Sequence, residues 1–393
     1  MEAMKKFLPA VLAMAAALCC LGSNSNPALP AVSTIRVPNG GIQPQVVERD
    51  GVVHMIYFIG EPEQGDLFYV RSKDYGRTFS SPMRVNRETG SAIAVGNIRG
   101  AQLALGRNGR VHVAWNGTHE TDRPGVTESY MKKPMLYARL NDAGTGFEPE
   151  RNVVGSAWGL DGGGSLAADG EGNVYVFWHA PIPGKKGEDN RRVWVAVSTD
   201  DGKSFAQEAI AYTPPVGACG CCGLKAFADN QGAVYALFRS ATEVVHRDIY
   251  LIASTDHGRT FHGNDISPWN IGACVMSSES IAQSQDGIVA AWETEKQVYF
   301  AQMKAGEDRI GTPIQAPGPQ NNRKYPALAV NNRNDTLLAW TEGTAWKKGG
   351  AVAWQVFGKD GRPEPVNGKA DGVPVWSLVA AFARPDGAFV VVY

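Results

Sequence analysis

The chain has 393 residues, 44% of them hydrophobic and 20% charged, with 45 Gly, 10 Trp and a formal net charge of −1. That length buries a core easily, and the composition excludes wholesale disorder, collagen-like repeats and a heptad coiled coil. A near-zero net charge removes any global electrostatic reason to expect nucleic acid or an anionic membrane as partner.

In chain order the first element is a leader. Lys5 and Lys6 precede an apolar stretch over 7–21, followed at once by Ser23, Asn24 and Ser25. The stretch has signal-peptide length and is short for a membrane span, so residues 1–23 are assigned as a signal peptide and the protein as exported, periplasmic or extracellular. A lipid anchor on Cys19 or Cys20 is the weaker alternative, because Leu18 and Cys19 do not fit the small-residue position before such a cysteine. No later segment has the length and apolarity of a transmembrane span. Residues 24–393 then form one domain, expected to be monomeric.

Seven short apolar strands follow, each opened by a Gly or Asp turn and rich in aromatics: GVVHMIYF (51–58), GRVHVAWN (109–116), GNVYVFWH (172–179), GAVYALFR (232–239), GIVAAWE (287–293), DTLLAWT (335–341) and GAFVVVY (387–393). A second apolar run precedes each across a polar turn, which makes a hairpin. The repeat of roughly 50–60 residues suits a propeller blade and exceeds most solenoid periods. A third strand and a tight turn complete several units, with SKDYGRTF at 72–79, STDDGKSF at 198–205, STDHGRTF at 254–261 and a decayed copy, NDAGTGF, at 141–147. In this turn the carboxylates of Asp74, Asp200 and Asp256 accept bonds from turn amides, Gly supplies a positive φ, and Phe anchors the turn between sheets.

These S-x-D-x-G-x-T-F turns resemble those of the Asp-box (BNR-repeat) proteins, of which the sialidases are the best known, over roughly residues 33–393. The resemblance implies an all-β propeller in which Asp74, Asp200 and Asp256 are structural and lie on the rim opposite the active-site face. Sialidases of that family have six blades, but seven hairpins are present here. Seven blades are therefore expected, the last abbreviated and closed by an N-terminal strand at 34–38 (TIRVP), with six as the alternative.

Propeller topology places the lead-in loop of each blade on the same face as the connection between its second and third strands. GACGCCG (217–223), WNIGAC (269–274) and RSATEVVHRD (239–248) then converge between blades 4 and 5. This brings together Cys219, Cys221, Cys222, Cys274, Arg239, His246, Arg247 and Asp248. The combination resembles an exported bacterial subset of Asp-box proteins of unclear activity. The cysteines read as one or two disulfides, such as Cys221 or Cys222 with Cys274, and alternatively as a soft-metal site for copper or zinc.

If the chain acts as an exo-sialidase-like glycoside hydrolase, the family mechanism requires three arginines on a carboxylate, a Tyr–Glu pair and an acid/base Asp. Matched to the family's motifs, Arg36 (in IRVP), Arg239 and Arg323 are the candidate arginines, with Tyr325 and Glu279 as the pair. The set is fragmentary. Gln43 stands where an arginine is expected, and only Glu63 and Asp66 follow blade 1; taken singly, each Arg reads better as a surface or inter-blade ion pair. Asn116, His179, Arg239 and Glu293 occupy equivalent strand ends and are expected to ring the channel mouth, with His246, Arg247 and Asp248 as further ligand-binding candidates. Trp158, Trp269, Trp346 and Trp376 fall in the same loops, where they stack on sugars or pack between blades. The functional expectation is therefore a glycan-binding or glycosidase-like propeller for a glycan or small anionic ligand. A non-hydrolytic metal-binding propeller and an interaction scaffold are the alternatives.

Overall fold

The computed structural model describes residues 29–305, 307 and 309–393; the leader assigned to 1–23 lies outside them. The chain folds into seven sheets in sequence order, six of them wholly antiparallel. Blade 1 comprises Ile42–Arg49, Val52–Glu61, Gln64–Ser72 and Met83–Arg84, and blade 2 Gln102–Leu105, Val111–Asn116, Met135–Arg139 and Arg151–Asn152. Blade 3 runs Ser165–Ala168, Val174–Pro181, Arg191–Ser198 and Ala209–Ile210; blade 4 runs Leu224–Ala228, Val234–Arg239, Ile249–Ser254 and His262–Ser267. Blade 5 is Ser280–Ser284, Gly287–Thr294, Gln297–Lys304 and Ile314–Gln315, and blade 6 Arg323–Val330, Thr336–Glu342, Gly350–Phe357 and Pro363–Val373. Blade 7 holds only Ala380–Ala383 and Phe389–Val392, completed by Val32–Ile35, which pairs in parallel with Phe389–Val392. Seven blades and closure by the N-terminal strand are as the sequence predicts.

The closing strand sits slightly earlier than the 34–38 span read from sequence. Pro38 has no amide to extend a ladder and instead opens a short 3-10 turn at Pro38–Gly40. Val37 still donates to the Tyr393 carbonyl at 3.2 Å, so the two segments stay joined beyond the strand.

Both faces of each blade lie against a neighbour, which explains the composition of the second strands. Val111–Asn116, Val174–Pro181, Val234–Arg239, Gly287–Thr294 and Thr336–Glu342 are buried along their whole length. A strand packed on two sides reads as a continuous apolar run rather than as alternation. The fourth strands of blades 1, 2, 3 and 5 are only two residues long, which leaves little exposed edge for pairing with other chains.

The Ser-x-Asp turns staple one blade to the previous one. In blade 3, Asp200 Oδ1 accepts from Ser198 Oγ at 2.7 Å and from the Ser204 amide at 2.9 Å, while Oδ2 accepts from Ser204 Oγ at 2.6 Å. Gly202 has φ +75°, and a Cβ there would lie 1.8 Å from the Tyr137 hydroxyl of blade 2. Phe205 packs edge-on against that Tyr137 ring, with centroids 4.8 Å apart. Asp74 and Asp256 make the same bonds in blades 1 and 4. In the decayed copy Asn141 Oδ1 still accepts from the Thr145 amide at 3.0 Å.

These bonds favour the charged carboxylate. Slight burial of Asp200 opposes ionisation, yet the Ser204 hydroxyl and amide and the Ser198 hydroxyl bring its pKa down to about 2. Such a group stabilises the fold fully above the unfolded carboxylate range and loses that contribution as pH falls through about 2. Asp200→Ala is expected to lower unfolding free energy by about 1–2 kcal/mol at pH 7, read in a urea melt. The deficit relative to wild type should shrink as pH is lowered towards 2; a deficit constant with pH would show that the carboxylate charge is not what the turn uses.

Candidate functional site

The polar residues ending the second strands do not stand free around the channel mouth; Asn116, His179 and Arg239 each tie their blade to the lead-in loop of the next, and Glu293 bonds within its own hairpin. Asn116 Nδ2 donates to the Gly162 carbonyl at 2.8 Å, and its Oδ1 accepts from the Gly164 amide at 3.3 Å. The His179 Nε2 contacts the Cys222 carbonyl at 3.0 Å. Burial, reinforced by the nearby Arg191 charge, pushes the His179 pKa down to about 4, so a neutral ring donates that bond at pH 7. Arg239 donates to the Arg247 carbonyl at 2.6 Å, to Ser277 Oγ at 3.2 Å and to the Glu293 carbonyl, and its guanidinium lies 5.2 Å from the Trp269 ring. Glu293 itself accepts from the Lys296 amide at 2.7 Å.

The three candidate arginines do not converge. Arg239 is 1% exposed and held as just described. Arg323 donates to Glu342 Oε1, Gln297 Oε1 and the Ala316 carbonyl, each at 3.1 Å, and lies 4.8 Å from the Trp340 ring. Arg36 sits at the outermost strand of blade 6, whereas Arg323 belongs to the innermost; Arg36 binds the Asp371 and Gly372 carbonyls and covers the Tyr393 ring at 3.9 Å. All three act as struts between elements of the propeller.

The predicted Tyr–Glu pair is brought together. Glu279 and Tyr325 line one cavity of about 100 Å³ at the channel, with Gln45, Asn97, Lys225 and Leu378. Glu279 precedes the inner strand of blade 5, and neither of its carboxylate oxygens has a hydrogen-bond partner. Burial first, and then the Cys222 thiol, raises its pKa well above the usual carboxylate range. Tyr325 sits at a register shift in the inner strand of blade 6 with φ +50°, an unusual backbone for a bulky residue that turns the strand at the cavity wall. Burial raises its hydroxyl pKa as well.

The cysteines gather as the topology requires. A disulfide joins Cys221 in the lead-in loop of blade 4 to Cys274 in that of blade 5, with Cα atoms 6.3 Å apart. Cys219 and Cys222 remain thiols, both buried. Their sulfurs are 3.1 Å apart, and Cys219 Sγ is 3.5 Å from Cys221 Sγ. The Cys222 contact lowers the Cys219 pKa against the opposing effect of burial, and the Arg247 and Arg239 charges add to it. Burial raises that of Cys222.

Arg247 is paired with Glu188 at 2.6 Å, and Glu188 Oε1 accepts from the Gly220 amide at 2.5 Å. Asp248 caps the Trp269 amide at 2.8 Å. His246 is partly exposed, with Nδ1 2.6 Å from Asn270 Oδ1. All eight residues expected between blades 4 and 5 therefore lie there.

Two contributors escaped the sequence reading. Glu188 falls in the charged stretch GKKGEDNRR (184–192), which reads as a solvated loop, yet it anchors the cysteine turn. Lys225, in the inner strand of blade 4, is the more unusual. Its ammonium reaches Gln102 Oε1 at 2.9 Å and Gln45 Oε1 at 3.4 Å, and burial pushes its pKa down to about 8. Lys225 and Gln45 also line a second cavity of about 660 Å³ that opens between the turns of the opposite face, beside Asp169 and Asp229.

No family model and no curated protein matches this chain. Solved structures do. A protein of unknown function from Dyadobacter fermentans superposes with a TM-score of 0.53 at 14% identity, covering 77% of this chain and 90% of that one. The Trypanosoma rangeli sialidase in complex with the inhibitor DANA gives 0.52 at 12% identity over 78% of this chain. A variant of the NanB sialidase from Streptococcus pneumoniae gives 0.52 at 10% identity, covering 84% of this chain and 68% of that one. The match spans only 53% of the trypanosomal enzyme. At these identities the likeness is one of fold: a sialidase-like propeller.

Burial of a neutral Glu279 sets a pH signature. Its contribution to stability is full below the unfolded value of 4.5 and is lost as pH rises towards the elevated folded value, because the folded state then holds a charge it resists. Glu279→Gln keeps the shape without the ionisation. Its thermal midpoint should match wild type near pH 4.5 and exceed it increasingly towards pH 8; parallel pH profiles for the two proteins would refute a buried neutral carboxyl.

Proposed function

We propose that this protein is an exported, sialidase-like propeller that binds a glycan or small polar ligand on the channel face without cleaving it. The observation that carries the reading is the Glu279 carboxyl, buried, unpartnered and facing the same cavity as Tyr325. A buried polar group without a partner costs stability unless something fills its valence, and a neutral carboxyl beside a phenol offers two donors to an acceptor oxygen. At about 100 Å³ the cavity accepts one substituent of a ligand rather than a whole sugar ring. Trp346, 56% exposed, stands edge-on to Trp376 at 4.6 Å in the adjoining loops and offers a stacking surface for the rest.

Binding is favoured over hydrolysis because Arg36, Arg239 and Arg323 are each engaged with protein groups and none lines this cavity. The soft-metal alternative rests on the sulfurs of Cys219, Cys221 and Cys222 lying within 4.8 Å of one another. It requires the Cys221–Cys274 bond to open first, since only Cys219 and Cys222 are free to ligate.

A glycan array, titration of its hits and a fluorogenic sialoside together test the reading. Saturable binding of an acidic or polar glycan without fluorophore release is expected. Tyr325→Phe should weaken the binding by about tenfold, the size of one hydrogen bond to a ligand. Catalytic release of the fluorophore would replace binding with hydrolysis, and the absence of any glycan hit would remove the reading altogether.

A further inference from the structure

The four cysteines at the rim are not equivalent. Cys274 is exposed and Cys221 half-buried, whereas Cys219 and Cys222 behind them are each 1% exposed. Cys221 is bonded to Cys274, Cys219 Sγ stands 3.5 Å from Cys221 Sγ, and Cys222 Sγ stands 3.1 Å from Cys219 Sγ. The sulfurs thus form a connected cluster: the Cys274–Cys221 bond lies on its exposed side, and Cys219 touches both Cys221 and Cys222, the three lying within 4.8 Å of one another. The inner two also have the C-x-x-C spacing of dithiol redox pairs.

We propose that this cluster of sulfurs is a thiol–disulfide relay, in which the outer Cys221/Cys274 pair exchanges with thiols or disulfides of other molecules and the inner Cys219/Cys222 pair holds a second, interconvertible disulfide. The first internal step is attack of the Cys219 thiolate on Cys221 Sγ. A Cys219–Cys221 bond forms, the Cys221–Cys274 bond breaks, and the electron pair leaves on Cys274 Sγ, which takes a proton from water. Cys222 thiolate then attacks Cys219 Sγ, forming Cys219–Cys222 and releasing Cys221 as a thiolate that is protonated in turn. One disulfide and two thiols stand on each side, and the two protons released by Cys219 and Cys222 equal the two taken up. The exposed dithiol that results reduces a partner disulfide RS–SR to two RSH while Cys221–Cys274 re-forms. The reverse sequence oxidises a dithiol.

Two further features fit an exchange site. Arg247, paired through one nitrogen with Glu188, keeps its Nε and Nη1 buried without partners near Cys219, where negative charge develops on sulfur during transfer. Beside the exposed Cys274, the loop carrying it is bonded to Val245 through the Ile271 amide at 2.8 Å. Val244 and Val245 are 47% and 42% exposed, an apolar footing for a cysteine-bearing peptide.

The test equilibrates the mature protein in glutathione buffers from oxidising to reducing, quenches with acid, alkylates free thiols and maps the linked peptides by mass. Both Cys221–Cys274 and Cys219–Cys222 are expected among one-disulfide molecules, with a two-disulfide form under the most oxidising conditions. Cys222→Ser should accumulate Cys219–Cys221 with Cys274 free. Cys219→Ser should leave Cys221–Cys274 as the only disulfide at every potential, with a thermal midpoint near wild type to show that the fold persists. The relay is overturned if the wild-type chain shows only Cys221–Cys274 with Cys219 and Cys222 alkylated throughout. It is overturned equally if the reduced protein retains stoichiometric copper or zinc that shields those two from alkylation. Because the readout is peptide mass, it succeeds or fails independently of glycan binding.

Discussion

A four-residue parallel ladder, Val32–Ile35 on Phe389–Val392, holds the two ends of the propeller together. Each blade is a sheet with two apolar faces and no cover except its neighbours, so an open ring would leave two such faces in water. The closed form buries Phe382, Val390 and Val392 of the last blade against Val53, Met55 and Tyr57 of the first. At roughly 25 cal/mol per Å² of apolar surface, that seam contributes far more than the ladder's own hydrogen bonds. The ladder's role is to make the seam unavoidable: it turns a linear array, which could fray from either end, into a ring without free ends.

Polar chemistry on the channel face follows from that closure. With the blades fixed side by side, the lead-in loops pass within hydrogen-bond reach of the preceding strand ends, and Asn116, His179 and Arg239 each bridge one gap. Arg239 shows why such ties are stable. A buried guanidinium is costly alone, but carbonyls of Arg247 and Glu293, the Ser277 hydroxyl and the face of Trp269 surround it. The same crowding leaves Glu279 without partners. Neither of its oxygens meets a donor, so its carboxyl resolves the conflict by keeping its proton.

The blades were legible because a strand covered on both faces can only be an apolar run, and seven such runs recur with the same turn before them. The cysteine cluster was legible for a topological reason, since lead-in loops of adjacent blades must meet. Its pairing was not: whether Cys221 or Cys222 faces Cys274 depends on the path of a single turn over 219–222, below the resolution of spacing. The arginines were ambiguous for a chemical reason. A guanidinium that clamps a carboxylate and one that satisfies main-chain carbonyls carry the same letter, and only the structure shows Arg36 and Arg323 doing the latter, with Glu342 added for Arg323. Lys225 was invisible because one Lys in LKAFA reads as a side chain turned to water, and in a ring the water side of an inner strand is the axis.

That lysine changes what the central channel is. Reaching from blade 4 to Gln102 of blade 2 and Gln45 of blade 1, it spans the axis with three polar side chains where the two cavities adjoin. The axis is therefore not a conduit. A solute entering the wide vestibule on the turn face meets a positive crossbar, and the narrow chamber holding Glu279 and Tyr325 is reached from the other side. The molecule behaves as two back-to-back cups sharing a floor, and the floor, being a hydrogen-bonded brace across the ring, also resists its flattening.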